Sequence, residues 1–303
     1  MNNTDIHNNG SADDHSDNEN NSTPETIIII NCVLNAPLML ISILGNGLVL
    51  AAIIRTPSIR STHVIMLCSL AVSNLLVGLV AQPIYIAERL TGDQNAHKVS
   101  VMMGYSLCGV SFLTITAITV DRFLALNYHM RYATLVTEFR VKYTLIIIWL
   151  VSFIGSGIYF WSESLHRFTV GAAIIICLII CTFCYIRIYR IVLWHQLQIL
   201  AQKQATQSCN AENNLNITRL KRSAINTFVF YIALIICYLP LYVSLILLEL
   251  SAKDWQPEWV FSHTAVFMNS SINPLLYCWR LRELRSAVLK TTRQMLCKQS
   301  EEN

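Results

Sequence analysis

The chain has 303 residues, of which 13% are charged and 54% hydrophobic, with a formal net charge of +4 at pH 7. Soluble domains carry about 25% charged residues, so the composition excludes an ordinary soluble domain and indicates a polytopic membrane protein with no nucleic-acid partner. The net charge hides an asymmetry. Residues Met1 to Glu25 lack Lys and Arg but hold Asp5, Asp13, Asp14, Asp17, Glu19 and Glu25, whereas Arg280 to Lys298 is basic.

Residues 1–25 are rich in Asn, Ser and Asp and cannot bury enough apolar area to fold, so they read as a disordered extracellular tail. Asn2, Asn9, Asn20 and Asn21 each open an Asn-x-Ser/Thr sequon and are the candidate glycosylation sites. No basic stretch precedes an apolar run with a cleavage site, so the first span is expected to act as the export signal.

Seven apolar stretches follow, at about 27–54, 64–88, 99–126, 143–161, 168–193, 224–250 and 258–279. Each is long enough for a membrane-spanning helix, and the connections are too short for separate domains. The predicted fold is an all-α membrane protein: a seven-helix bundle over 26–279, a cytosolic membrane-surface helix over 280–298 and a tail over 299–303. Basic residues favour the cytosolic side of a membrane. With the N-terminus outside, 18 of the 22 Lys and Arg residues fall inside and only Arg89, Lys98, Arg167 and Lys253 outside. The expected location is therefore the plasma membrane, multi-pass, with the N-terminus extracellular.

Between Val99 and Val120 there are 22 residues without Asp, Glu, Lys or Arg. At about 1.5 Å per residue this run crosses a roughly 30 Å hydrocarbon core. Asp121 and Arg122 thus fall at a membrane surface, where a charged pair is tolerated and can be switched. Mid-span Asn46, Asn74, Ser111, Asn269, Ser270 and Asn273 must face one another or trapped water, because lipid offers them no hydrogen-bond partner. Pro240 removes a backbone hydrogen bond and clashes with the carbonyl of Ile236, which predicts a kink in span six, and Pro274 supplies a second hinge in span seven. No outer loop offers a cysteine pair, so no disulfide is expected, and the cysteines within spans read as small apolar fillers. No His/Asp/Glu cluster within the spans suits catalysis or a metal, so neither an enzyme nor a cofactor is expected.

Several motifs occur in order, each on its own span: Gly45-Asn46 on span one; Ser69-Leu70-Ala71-Val72-Ser73-Asn74-Leu75-Leu76-Val77 on span two; Asp121-Arg122-Phe123 on span three; Trp149 on span four; Cys237-Tyr238-Leu239-Pro240 on span six; Asn273-Pro274-Leu275-Leu276-Tyr277 on span seven. Together they resemble the rhodopsin-like G-protein-coupled receptors, over residues 40 to 298. The segments 126–137 and 277–285 look most like adenosine and melanocortin receptors. The resemblance implies a receptor that transduces an extracellular small-molecule or peptide ligand to a heterotrimeric G protein. It implies switch roles for Asp121, Arg122, Phe123, Tyr185 and Tyr277, and hinge roles for Tyr238, Pro240, Asn273 and Pro274. In the family the mid-span polar cluster looks like a sodium site whose charge comes from an acid. Asn74 stands in its place here, so sodium binding is expected to be weak or absent. The acid that often holds the arginine from the base of span six is also missing, since Arg219-Leu220-Lys221-Arg222 contains none, and appreciable basal signalling follows.

Tyr85, Glu88, Gly104, Tyr105, Cys108, Tyr238, Tyr242, Leu245, His263 and Phe267 are the expected pocket residues. Gly104 stands where amine receptors look to have Asp, Phe267 where opsins look to have their lysine, and Leu245 where adenosine receptors appear to use Asn. The third inner loop is read as polar chain from His195 to Lys221. Leu281, Leu284, Val288 and Leu296, spaced among six basic residues, predict an amphipathic helix on the anionic leaflet, with Cys297 as a palmitoylation candidate. The alternatives are a ligand-independent modulator of other receptors and a seven-helix transporter, although no internal repeat is visible.

Overall fold

The computed structural model describes residues 25–56, 61–128, 131–206, 229, 231–248, 256–280 and 282–301. Among them every regular element is helical. Helix α1 spans Glu25–Arg55 and α2 spans Thr62–Leu76, which passes through one π turn, Val77–Ala81, into α3, Gln82–Thr91. Then come α4, Gln94–Asn127; the single turn α5, Tyr132–Leu135; and α6, Glu138–Gly157, extended by a 3₁₀ turn at Ile158–Phe160. Helices α7 (Glu163–Thr206), α8 (Tyr231–Leu248), α9 (Gln256–Arg280) and α10 (Arg282–Glu301) complete the order.

Among the described residues six stretches are long and apolar enough to cross a membrane: α1, α2 with α3, α4, α6 with its 3₁₀ turn, α7 and α8. The seventh expected span, α9, is 25 residues long but more polar than these. Its Ser262, Asn269, Ser270, Ser271 and Asn273 are all buried against neighbouring helices, so its polar atoms face protein while α1, α2 and α4 surround it.

Several connections are tighter than the sequence suggests. Gly92, at φ 65°, closes α3 in the left-handed conformation that glycine adopts freely. The next residue, Asp93, caps α4 by accepting from the Ala96 amide at 3.0 Å. Only these two residues therefore join α3 to α4. The expected second outer loop, Ser162 to Arg167, shrinks likewise, because the Ser162 hydroxyl accepts from the Leu165 amide at 3.3 Å and α7 begins at Glu163. The predicted inner loop from His195 is helical as far as Thr206, a stretch of Gln, Leu, Ala and Lys without Gly or Pro. Residues 207–228 lie outside the described residues, as do Asn2, Asn9, Asn20, Asn21 and the side chain of Cys297.

Helix α4 is the axis of the bundle and packs against α2, α3, α6, α7 and α9. Helix α1 closes the ring onto α9 through a glycine contact. A Cβ on Gly45 would stand 2.9 Å from both Cβ and Cγ of Pro274. Similarly, a Cβ on Gly78 in the π turn would stand 2.8 Å from Ile43 Cγ1 and 3.2 Å from the Met39 carbonyl oxygen. Small residues let helix backbones approach where no hydrophobic effect pulls them together. Gly45→Val is expected to cost about 1–3 kcal/mol through overpacking, read as a lower thermal unfolding midpoint in detergent. Gly47→Val, where no atom lies within 4 Å, serves as the unaffected control.

Candidate functional site

Three groups of side chains stand out along the bundle: a cavity at the Glu88 end, a polar cluster at mid-height and a charged group at the Asp121 end. The cavity has a volume of about 180 Å³, and its wall includes Tyr85, Glu88, Gly104, Tyr105, Cys108, Tyr238, His263 and Phe267, all predicted from sequence. Tyr242, half-buried, and Leu245, buried, are not part of that wall. His166, Trp259 and His97, which sequence reading left out of the pocket, are part of it.

The π turn helps to set this wall. Pro83 cannot donate to the Leu79 carbonyl, and the widened turn before it absorbs the interrupted hydrogen-bond ladder. Beyond it Tyr85 and Glu88 point inward, 3% and 6% exposed. Glu88 is held on both oxygens, with Oε1 3.0 Å from His97 Nδ1 and Oε2 3.6 Å from Arg89 Nε. The Arg89 guanidinium also lies 5.2 Å from the centre of the Tyr85 ring. His263 Nδ1 is 2.8 Å from the Trp259 carbonyl oxygen, which can only accept, so Nδ1 carries the proton. In the neutral ring Nε2 then accepts the hydrogen bond that Tyr105 donates at 3.3 Å, and this pair joins α4 to α9 across the cavity. Deeper down, Tyr238 donates to the Cys108 carbonyl oxygen at 3.2 Å and lays its ring 4.3 Å from that of Phe112. Its hydroxyl ties α8 to α4, leaving an aromatic floor. Pro240 lies two residues further along α8, on its exposed side.

At mid-height the predicted polar residues converge. Ser111 donates to Asn74 Oδ1 at 2.8 Å and accepts from Asn269 Nδ2 at 3.4 Å. Asn46 Nδ2 donates to the carbonyl oxygens of Ser42, at 2.8 Å, and Ser270, at 3.1 Å, while Ser42 donates to the Asn74 carbonyl oxygen at 2.8 Å. Four helices, α1, α2, α4 and α9, are linked this way. Asn46 Oδ1, Asn74 Nδ2, Ser270 Oγ and Asn273 Nδ2 are buried without a partner in the protein. Among the described residues no group of three His, Cys, Asp or Glu side chains is placed to hold a metal ion.

At the other end Asp121 is 3% exposed. Tyr132, presented by α5, donates to its Oδ1 at 2.6 Å, while Arg122 Nη2 and His63 Nδ1 stand 3.7 and 3.9 Å from Oδ2. Arg140 steadies α5 by donating to the Leu135 carbonyl oxygen at 2.9 Å. Burial, the hydrogen bond to Asp121 and that carboxylate's charge push the Tyr132 phenol up to about 12. Because this lies above the unfolded value of about 10, the tie contributes fully below pH 10 and is lost only as pH rises toward 12. Tyr185 is buried against Tyr231, ring centres 4.7 Å apart; Phe123 lies 6.1 Å from the Phe183 ring, and Tyr277 is buried. Trp149 donates to Ser69 Oγ at 3.1 Å, tying α6 to α2. Tyr132 and His63 were missed because both reach Asp121 across chain turns that no helical period marks.

The family described as "7 transmembrane receptor (rhodopsin family)" matches residues 45–177, which span Gly45-Asn46, the Asp121-Arg122 pair and Trp149. Melanocortin receptor 4 of Danio rerio is 26% identical over 298 residues, covering 89% of this chain and 85% of that protein. Adenosine receptor A2b of Gallus gallus is 24% identical over 92% of this chain and 91% of that protein, and melatonin receptor type 1B of Homo sapiens 24% over 78% and 71%. Over this stretch the chain is similar to the rhodopsin-like G-protein-coupled receptors. Its long apolar helices and these likenesses support a multi-pass membrane protein.

Ser111 is the hinge pin of the mid-height network. Ser111→Ala strands Asn74 Oδ1 and an Asn269 amide proton in the interior, an expected loss of about 1–3 kcal/mol measured as a lower thermal midpoint of the purified protein.

Proposed function

We propose that the chain is a rhodopsin-like G-protein-coupled receptor that carries a signal from a small ligand in the Glu88-end cavity to a heterotrimeric G protein at the Asp121 end, by a swing of α8 about Pro240. The N-terminus is extracellular in this reading, supported by the 18 basic residues that it places on the cytosolic side. The cavity volume of about 180 Å³ favours a small molecule over a peptide. Ligand contact with the aromatic floor at Tyr238 loosens its hydrogen bond to α4 and frees α8 to move. Pro274, with Asn273 and Tyr277 beside it, bends α9 in the same step.

The observation that carries the reading is the loose hold on Arg122. A charge-assisted hydrogen bond runs at about 2.7–2.9 Å. The Arg122 to Asp121 distance is 3.7 Å, while Tyr132 occupies the other carboxylate oxygen at 2.6 Å. The basic segment 219–222, which lies outside the described residues, offers no acid to compensate. The resting state is therefore weakly locked, and basal activity follows.

Cells expressing the receptor without added ligand should show second-messenger levels above mock cells, and Arg122→Ala should remove the excess. A signal absent in the parent, or indifferent to Arg122→Ala, points instead to a modulator that does not couple by itself. Tyr132→Phe frees Asp121 to grip Arg122 with both oxygens, so basal signalling should fall at unchanged surface expression; an unchanged or raised signal refutes the competition. At the polar cluster, Asn74→Asp supplies the missing negative charge and should make signalling sodium-sensitive in a titration where the parent is indifferent.

A further inference from the structure

The cavity is not confined to the interior of the bundle. Val151 and Gly155 of α6 and Thr169 and Ala173 of α7 form part of its wall. Val151 is also 54% exposed, in register with Ile147 and Ile154 on the outward stripe of α6. Ala173 is exposed in register with Ile176 and Ile180 on α7. Both helices pack closely along α4 but touch each other far less. Gly155 keeps the gap open: nothing lies within 4 Å of where its Cβ would stand.

The depth of the gap decides what it faces. Phe160, Trp161 and Phe168 are 60%, 90% and 76% exposed around the adjoining ends of α6 and α7, the position of an aromatic belt at a membrane interface. At 1.5 Å per residue, Val151 lies about 15 Å inside Trp161 along α6, and Ala173 about 8 Å inside Phe168 along α7. The gap therefore opens onto hydrocarbon.

The chemistry of the wall agrees. The Glu88 carboxylate is already shared by His97 and Arg89. Around the gap, Thr169 donates to the Leu165 carbonyl oxygen, and Ser156 bonds Ser106 and the Phe153 carbonyl oxygen. An apolar molecule can pass without stripping an unsatisfied group, whereas a charged one meets no free counter-charge among the described residues lining the gap. Just behind Gly155, the Ser152 hydroxyl is buried with no partner in the protein.

We propose that the gap between α6 and α7, framed by Val151, Gly155, Thr169 and Ala173, is a lateral portal through which a neutral, bilayer-soluble ligand enters the cavity. Such a ligand is mainly apolar, with a polar group for Ser152. The inference rests on the reading of this cavity as the ligand site, and its test reads access without signalling, so either can fail alone.

The receptor is placed in phosphatidylcholine nanodiscs with a small, uncharged aryl diazirine that partitions into lipid, photolysed, and mapped by peptide mass spectrometry. Label is expected on the cavity residues Phe112, Leu241 and Val266 as well as on lipid-facing Ile154 and Ile176. Gly155→Phe, and independently Val151→Trp, should plug the gap: cavity label is lost while label on Ile176 persists, which also shows that the variant is folded. Absence of cavity label in the parent, or its persistence in both variants, overturns the portal. So does equal cavity labelling by a charged, water-soluble diazirine added to the same nanodiscs.

Discussion

A polar group inside a bilayer has no water to bond, so it must find a partner within the protein. This constraint orders the whole bundle. Asn46, Asn74, Ser111 and Asn269 lie among the most buried side chains and bond across α1, α2, α4 and α9. Their geometry fixes how each helix is rotated, since turning any one of them outward would expose an amide or a hydroxyl to hydrocarbon. The two close glycine contacts, at Gly45 and Gly78, then let those helices come near enough for such short side chains to meet. The same constraint explains why α9 is the least apolar of the expected spans yet lies inside: its polarity is spent on neighbours.

The two ends of the bundle differ in what they do with charge. At the Glu88 end one carboxylate is shared by the His97 imidazole and the Arg89 guanidinium, with an apolar, aromatic chamber beneath. At the Asp121 end the carboxylate is also shared, but its shortest bond goes to a neutral phenol rather than to the adjacent arginine. The phenol is held protonated well beyond physiological pH, so its hydrogen bond to Asp121 persists there. Between the ends, the hydrogen bond from Tyr238 to the Cys108 backbone ties the cavity floor on α8 to α4.

Much of this was legible in the sequence. The charge-free run before Asp121, the division of basic residues and the ordered motifs indicated seven spans and a family resemblance. Most pocket residues were legible too, because a fixed distance along a helix from a recognisable motif fixes the facing direction. What escaped depended on neighbours remote in sequence. Tyr132 reaches Asp121 from a separate helical turn, His166 enters the cavity because the second loop is shorter than its polar residues suggest, and Tyr242 falls outside the wall through the rotation of α8.

The sequence by itself determined that this is a helical membrane protein with a charged pair at one end of its third span, because hydropathy and charge act locally and need no partner to be read. Only the tertiary structure decided which oxygen of Asp121 the Tyr132 hydroxyl takes, which backbone carbonyl Tyr238 bonds and which residues wall the cavity. Each of these depends on two elements remote in sequence coming together, which no local pattern of hydropathy or charge encodes.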